Sequence, residues 1–242
     1  YSYVGRLVVS FNDMGILDLA SIADVSGPYA STVETVTSIW GNYEDAFAVG
    51  TVAAQVMGLT DAVLGVVTVK DGNTFGKTSV FLEGRRSAVR TEETNLGNFT
   101  ADANLWFARQ IDSSTVVSIK NGGGVRAAIG EVVQLENDEY AFFPPQANPI
   151  SGKLTGEISQ LDIENSMRFN NELSLISLTA ADLQQILEHG VASCTPGATP
   201  GSFGQVGGVR SSFGPSLPAN SVIVNAWSFY ILYAADDIHS GT

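Results

Sequence analysis

The sequence has little cysteine, little histidine and little basic charge. Among 242 residues Cys194 is the one cysteine, so the chain forms no internal disulfide and no cysteine-built zinc site. Cysteine avoidance suits both a bacterial secreted protein and a reducing cytoplasm, so it leaves the compartment open. The two histidines, His189 and His239, are too few for a dinuclear metal centre that draws on several His and Asp ligands. Lysine and arginine total 12 against 25 acidic residues, a net charge of −13. A duplex nucleic-acid binder needs a dense basic face that this chain cannot build, and an acidic membrane surface would repel it. Charged residues make up 15% and apolar residues 44%, the opposite of a disordered chain and enough for a sizeable core. The chain opens at Tyr1 without a methionine or signal peptide, which reads as a fragment or a mature form. The most apolar long run, residues 46–69, is interrupted by Gln55, Asp61 and several glycines. A charge at the centre of a bilayer span is costly, so the expectation is buried helix and strand, with no membrane span.

What is present points to mixed α/β structure. Val4, Leu7, Val9 and Phe11 alternate as in a strand, Asn12 to Gly15 form a turn, and residues 16–19 begin a returning strand. A hairpin alone is not stable, so residues 1–20 read as the end of an upstream domain. Val33, Val36, Ile39 and Trp40 have helical spacing, as do Val49, Val52, Val56 and Met57, which predicts a helical connector over residues 21–80. Lys70, Asp71, Gly72 and Asn73 give a turn signal, and residues 78–82 a short strand. A helix is predicted over residues 93–111 with Leu96, Phe99, Ala103, Trp106 and Phe107 on its buried face. Residues 115–119 and 173–178 read as strands, and Thr179 with Asp182 forms a capping box for a helix ended by Gly190. Residues 194–220 form a long loop rich in Gly, Pro and Ser, with a possible strand over 206–210, and residues 221–234 are a last apolar stretch. Helices and strands alternate loosely, so the class is α/β or α+β, a mixed sheet layered with helices.

Three features carry chemistry. Arg85, Arg86, Arg90, Arg109, Lys120 and Arg126 supply six of the twelve cations from one stretch of an acidic chain. That pattern fits an anionic ligand; the alternative is surface ion pairing with Glu83, Glu92 and Glu93. The run NGGGVR, Asn121 to Arg126, follows a predicted buried strand directly. Its glycines, Gly123 and Gly124 among them, allow close backbone approach and present N–H donors. Asn121 both donates and accepts, which suits a sugar hydroxyl or base edge, and Arg126 offers a planar fork for carboxylate or phosphate. Phe169, followed by Asn170 and Asn171, pairs a stacking ring with amides; the alternative is a core phenylalanine. His189 falls in a helix's last turn, where the dipole favours its protonated form, and no G-x-S-x-G accompanies it. Asn98-Phe99-Thr100 is a formal glycosylation sequon on a predicted helix and reads as chance.

Taken together, these residues resemble a known family. RTEETNLGNFTADA, from Arg90 to Ala103, looks like the opening of the C-terminal domain of 5′-nucleotidases. NGGGVR resembles that domain's NGGGIR loop, and Gly156-Glu157-Ile158-Ser159 with Met167 to Asn171 resembles its G-x-I-T and L-P-F-x-N segments. The stretch from Leu178 to Glu188 resembles its L-T-G-x-x-L-x-x-x-L-E helix, and Phe203 to Arg210 its F-x-Q-V-S-G-x-R strand. The matches run in order from Phe81 to Phe213, and Tyr1 to Phe11 resembles the closing strand of the family's N-terminal domain. Arg168 stands where the family has proline, and Glu92 where some members have arginine, with Arg86 and Arg90 as the available substitutes. The match stops before the family's final aromatic and G-G-D-G segment, and no G-N-H-E metal motif is present.

The resemblance implies a division into residues 1–20 as the closing hairpin of a metallophosphatase domain, 21–80 as connector and 81–242 as substrate-binding domain. It implies substrate contacts from Asn121, Gly123, Gly124, Arg126 and Arg90, one face of a base sandwich from Phe169, and a polar contact from Asn171. It implies no catalytic residue and no metal ligand in this chain, with two divalent metals in an absent N-terminal domain. The expected partners are a nucleotide or nucleoside and that N-terminal domain, without nucleic acid. The expected location is secreted, periplasmic or cell-surface. An alternative keeps the enzyme class and changes the substrate, to UDP-sugars or cyclic nucleotides. A different class of function is a non-catalytic surface-interaction module, using residues 193–218 as an exposed loop.

Overall fold

A computed structural model describes residues 3–214 and 223–228, with side chains of 224–228 excepted. The chain divides into two units, Tyr1–Val66 and Val67–Thr242.

In the first unit, β1 (Tyr3–Arg6) pairs antiparallel with β4 (Gly27–Ala30), and β2 (Ser10–Phe11) with β3 (Leu17–Asp18). The expected hairpin forms because the Asn12 side chain accepts the backbone N–H groups of Met14 and Ile16, with Gly15 at φ 75°. The single expected strand breaks between Arg6 and Ser10. There the Val8 N–H goes to the Ser26 hydroxyl and its carbonyl to the Ala23 N–H, in place of a ladder. Helix α1 (Val33–Trp40) is capped by Thr32 and stopped by Gly41 at φ 89°; α2 (Tyr43–Ala46) is capped by Asn42. Helix α3 (Val52–Gly72) crosses the division between the units. The sequence predicts residues 52–69 as part of a buried helix-and-strand segment. They form one continuous helix instead, with Val52, Val56, Leu59, Val63, Leu64 and Val69 among its exposed apolar side chains. By length and composition α3 is long and apolar enough to cross a membrane, with Asp61 near its middle.

The second unit explains why α3 runs through the expected turn at Lys70 to Asn73. Asp71 is 3% exposed and its carboxylate accepts from Asn148, Ser151 and Ser159 while pairing with Lys153 at 2.6 Å. Those contacts hold the helix through Gly72. Strand β5 (Thr74–Lys77) pairs with β9 (Glu157–Ser159); the strand expected at 78–82 is reduced to a single bridge, Leu82 to Ile129. Helix α4 (Arg86–Val89) precedes α5 (Asn95–Ile111), whose N-cap is Thr94. The buried face of α5 is Leu96, Gly97, Ala101, Leu105 and Ala108, and of the expected core residues Phe99, Ala103, Trp106 and Phe107 are exposed. Small residues explain the choice. β6 (Ser118–Asn121) and its antiparallel partner β10 (Gly204–Gly207) approach α5 along Gly97 and Ala101, and the Ser118 hydroxyl donates to the Ala101 carbonyl at 2.5 Å.

Strands β7 (Glu131–Gln134) and β8 (Tyr140–Phe143) form a hairpin. Helix α6 (Gln160–Ser166) has a capping box from Ser159 and Asp162, and α7 (Ala180–Val191) the expected one from Thr179 and Asp182. Helix α7 extends through Gly190 to Val191. Residues 173–178, expected as a strand, are exposed and carry no strand assignment, for they find no ladder partner among the described residues. β10 is followed by Gly208 at φ 76° and β11 (Val209–Phe213), which pairs with β12 (Ile223–Ser228). Residues 203–213, expected as part of a loop with one strand, thus supply two strands, and Phe203 and Gln205 within them are buried. Residues 215–222 of the expected loop and last apolar stretch, residues 229–234 and His239 lie outside the described residues.

The alternating helices and strands bear out the α/β class, with the described strands in six antiparallel pairs. One core packs Leu82, Val89, Leu96, Val125 and Ile129, and a second packs Leu187, Val191, Cys194, Phe203 and Ile223. Cys194 is a core residue whose thiol pKa is pushed up by burial.

Candidate functional site

Strand β6 delivers Asn121 to a tight turn formed by Gly122, Gly123 and Gly124. The reason for glycine here is steric. A Cβ on Gly122 would stand 2.1 Å from the Val89 carbonyl oxygen, and one on Gly123 would stand 2.8 Å from the Gly201 carbonyl oxygen. The sequence reading has these glycines presenting N–H donors to a ligand. Instead the Gly122 N–H donates to the Phe203 carbonyl at 2.6 Å and the Gly123 N–H to the Gly201 carbonyl at 3.0 Å, continuing the β6–β10 pairing past its end. The contribution of Gly122 and Gly123 is therefore close packing that places side chains. Asn121 Nδ2 lies 3.4 Å from the same Gly201 carbonyl.

Arg126 leaves this loop with its backbone N–H on the Ser166 carbonyl at 2.8 Å and Nη1 on the Gly123 carbonyl at 3.3 Å. Its guanidinium carbon stands 5.6 Å from the Phe169 ring centroid, within cation–π range. Phe169 is 54% exposed, so a face of the ring stays open. Arg90, at the end of α4, is 8% exposed, and its Nε is buried with no hydrogen-bond partner among the described residues. Burial, then the charges of Arg86 and Arg126, lower its pKa from the ordinary arginine value. Arg86 donates from Nε to the Thr199 hydroxyl at 3.0 Å. Lys120 Nζ lies 3.6 Å from where a Cβ on Gly124 would stand. Among the described residues none of Arg86, Arg90, Lys120 and Arg126 is in an ion pair with a carboxylate.

The structure thus gathers Asn121, Gly123, Gly124, Arg126, Arg90 and Phe169 from distant parts of the chain. Asn171 lies on the exposed run after Phe169, and among the described residues no hydrogen bond joins it to the group. Arg85 and Arg109 leave the expected basic cluster. Arg85 pairs with Glu83 at 2.5 Å and sits over Phe142, while Arg109 donates to the Thr115 carbonyl at the far end of α5. The ion-pair reading therefore holds for Arg85, and not for Arg86, Arg90 or Arg126. Sequence reasoning does not single out Gln205, which is buried, as a functional residue, although it is the glutamine of the stretch that resembles the family's F-x-Q-V-S-G-x-R strand.

A separate cavity of about 940 Å³ opens between α5, α7 and the β10–β11 segment, with Glu93, Asp102, His189, Phe203, Arg210 and Phe213 on its wall. His189 is in the last turn of α7, as the sequence indicates. The sequon residue Asn98 donates to Glu93 at 2.5 Å within the start of α5. Among the described residues no group of three His, Cys, Asp or Glu side chains could hold a metal ion.

Residues 72–232 match the family model described as the 5′-nucleotidase C-terminal domain. The chain is 34% identical over 138 residues to the trifunctional nucleotide phosphoesterase YfkN of Bacillus subtilis, covering 57% of this chain and 8% of that protein. It is 29% identical over 140 residues to the 5′-nucleotidase of Bos taurus, covering 56% of this chain and 20% of the relative. The crystal structure of a 5′-nucleotidase precursor from Thermus thermophilus superposes with a TM-score of 0.55 at 26% identity, over 94% of this chain and 36% of that one. The chain thus spans well under half the length of these relatives. With more than half of its residues inside the family model, the chain belongs to the 5′-nucleotidase family, whose C-terminal domain it carries.

Proposed function

We propose that this chain is the substrate-recognition part of a 5′-nucleotidase-like phosphohydrolase, holding a nucleotide by its phosphate, sugar and base. The observation that carries the reading is Arg90, a buried guanidinium beside two further arginines; among the described residues its Nε has no hydrogen-bond partner and it has no carboxylate partner. Burying an uncompensated charge costs several kcal/mol, and a phosphate seated among Arg86, Arg90 and Arg126 offsets that cost with charge-assisted hydrogen bonds. Asn121 is placed to bond a sugar hydroxyl. Phe169 offers its open face to a base, and Asn171 takes a polar contact beside it. The chain's share of the reaction is positioning, which holds the ester in one orientation. Family members are 5′-nucleotidase hydrolases. Hydrolysis is proposed to belong to an N-terminal metallophosphatase domain with two divalent metals, as the family resemblance implies. We place the protein in nucleotide breakdown outside the cytoplasm, a location supported by relatives named as snake venom 5′-nucleotidases.

The test is calorimetric titration of the chain with AMP and with adenosine. Micromolar AMP binding corresponds to about −8 kcal/mol. Arg90→Ala is expected to weaken AMP at least tenfold and leave adenosine nearly unchanged. Equal AMP affinity in a folded Arg90→Ala variant contradicts the reading.

A further inference from the structure

We infer that Gln205 is the positioning residue of the anion site and that Gly97 is glycine in order to admit it. The inference rests on the reading of Arg90 as a phosphate ligand and adds what holds that arginine in place. Gln205 lies on β10, is 1% exposed and spends its whole side-chain amide on one short segment. Nε2 donates to the carbonyls of Val89 at 3.0 Å and Glu92 at 2.7 Å, and Oε1 accepts from the Thr94 N–H at 3.3 Å. The three bonds bracket Arg90, one immediately before it and two shortly after. A buried amide with every bond pointed at one segment fixes that segment's backbone, since each broken bond leaves a buried polar group unpaired.

The same segment is wedged on its other side. The Val89 carbonyl that takes the Gln205 donor also lies against Gly122, so the amide, the Arg90 segment and the glycine loop form a stack. Arg90 is consequently held at the loop that carries Asn121 and Arg126. Gly97 completes the device. A Cβ there would stand 2.1 Å from Gln205 Oε1 and 2.3 Å from its Cδ. The obstructed atoms run from Gln205 Cγ, at 2.6 Å, to Oε1 in a buried side chain, so Gly97→Ala is expected to displace Gln205 at some cost in packing, and Gln205→Met keeps the test open if that variant does not fold. Gly97→Ala removes the clamp while leaving both Gln205 and Arg90 chemically intact.

The experiment uses the full chain with Gln205→Met, which keeps the bulk and loses the bonds, and with Gly97→Ala. Each is titrated with AMP and with adenosine. The expected result is a tenfold or greater loss of AMP affinity in both variants, with adenosine affinity kept within twofold. Equal losses for both ligands, or an unchanged AMP affinity in the folded variants, would overturn the inference. Amide hydrogen exchange on the ligand-free chain supplies a readout independent of ligand. Protection of residues 89–94 is expected to fall at least tenfold in both variants while the centre of α5 keeps its own; unchanged protection overturns the clamp. Failure of the wild-type chain or of Arg90→Ala to behave as predicted with AMP counts against the phosphate site alone, so the two claims fail separately.

Discussion

Two buried charges in this chain are handled in opposite ways. Among the described residues Arg90 has a nitrogen without a hydrogen-bond partner and like-charged neighbours, whereas Asp71 is surrounded by Lys153, Asn148, Ser151 and Ser159. Burial alone would raise the Asp71 pKa; those four partners outweigh it and bring it down to about 2. Because the folded value lies below the unfolded one, the stabilisation is present above about pH 4 and is lost as pH falls through 2. It amounts to about 2 kcal/mol. Asp71→Asn is expected to cost about 3 kcal/mol in urea unfolding at pH 7, by stranding Lys153 with Asp162 alone, and to flatten the acid slope between pH 4 and 2. A variant with the parent's slope contradicts this account. Neither environment is legible in the sequence, for Asp71 meets partners 77 to 88 residues away. Asn121, Arg126 and Phe169 were legible as chemistry-bearing residue types, and Arg86 and Arg90 as part of a basic run. Only packing separates those two from Arg85, which Glu83 neutralises.

At the scale of elements, local signals translated well and long-range ones did not. The cap at Thr179 is decided by a few neighbouring residues, so the start of α7 was readable, and the helix expected over 93–111 starts two residues later, at Asn95 behind the Thr94 cap. The buried face of α5 was not, because periodicity offers both an aromatic and a small-residue face, and the approach of β10 selects the small one. Residues 173–178 have strand composition without a ladder partner among the described residues, and composition cannot supply one. The glycine loop is a further case, since its glycines serve contact between Val89 and β6 more than exposure of N–H groups. Gly122→Ala is expected to push the Val89 carbonyl away, cost about 1–3 kcal/mol and weaken AMP binding through Arg90. Thermal unfolding and titration of that variant check the claim, and an unchanged midpoint with unchanged AMP affinity contradicts it.

For the whole molecule, a net charge of −13 sets the background against which the arginine cluster acts. The pH dependence expected of AMP binding comes from the ligand. The second ionisation of a phosphate monoester lies at about 6, and AMP affinity is expected to be several-fold higher at pH 7.5 than at pH 5. Adenosine affinity should change little over that range. A flat AMP profile would place the phosphate away from the arginines. The chain covers 36% of the Thermus thermophilus relative, so recognition is the part of the family's chemistry argued for these residues. The measurement that bears most directly on that claim is a crystal structure of the chain with AMP. The account predicts phosphate oxygens within hydrogen-bonding distance of Arg90 Nε and Arg126, with the base against Phe169. AMP seated in the cavity between α5 and α7, with Arg90 Nε still unbonded, would contradict it.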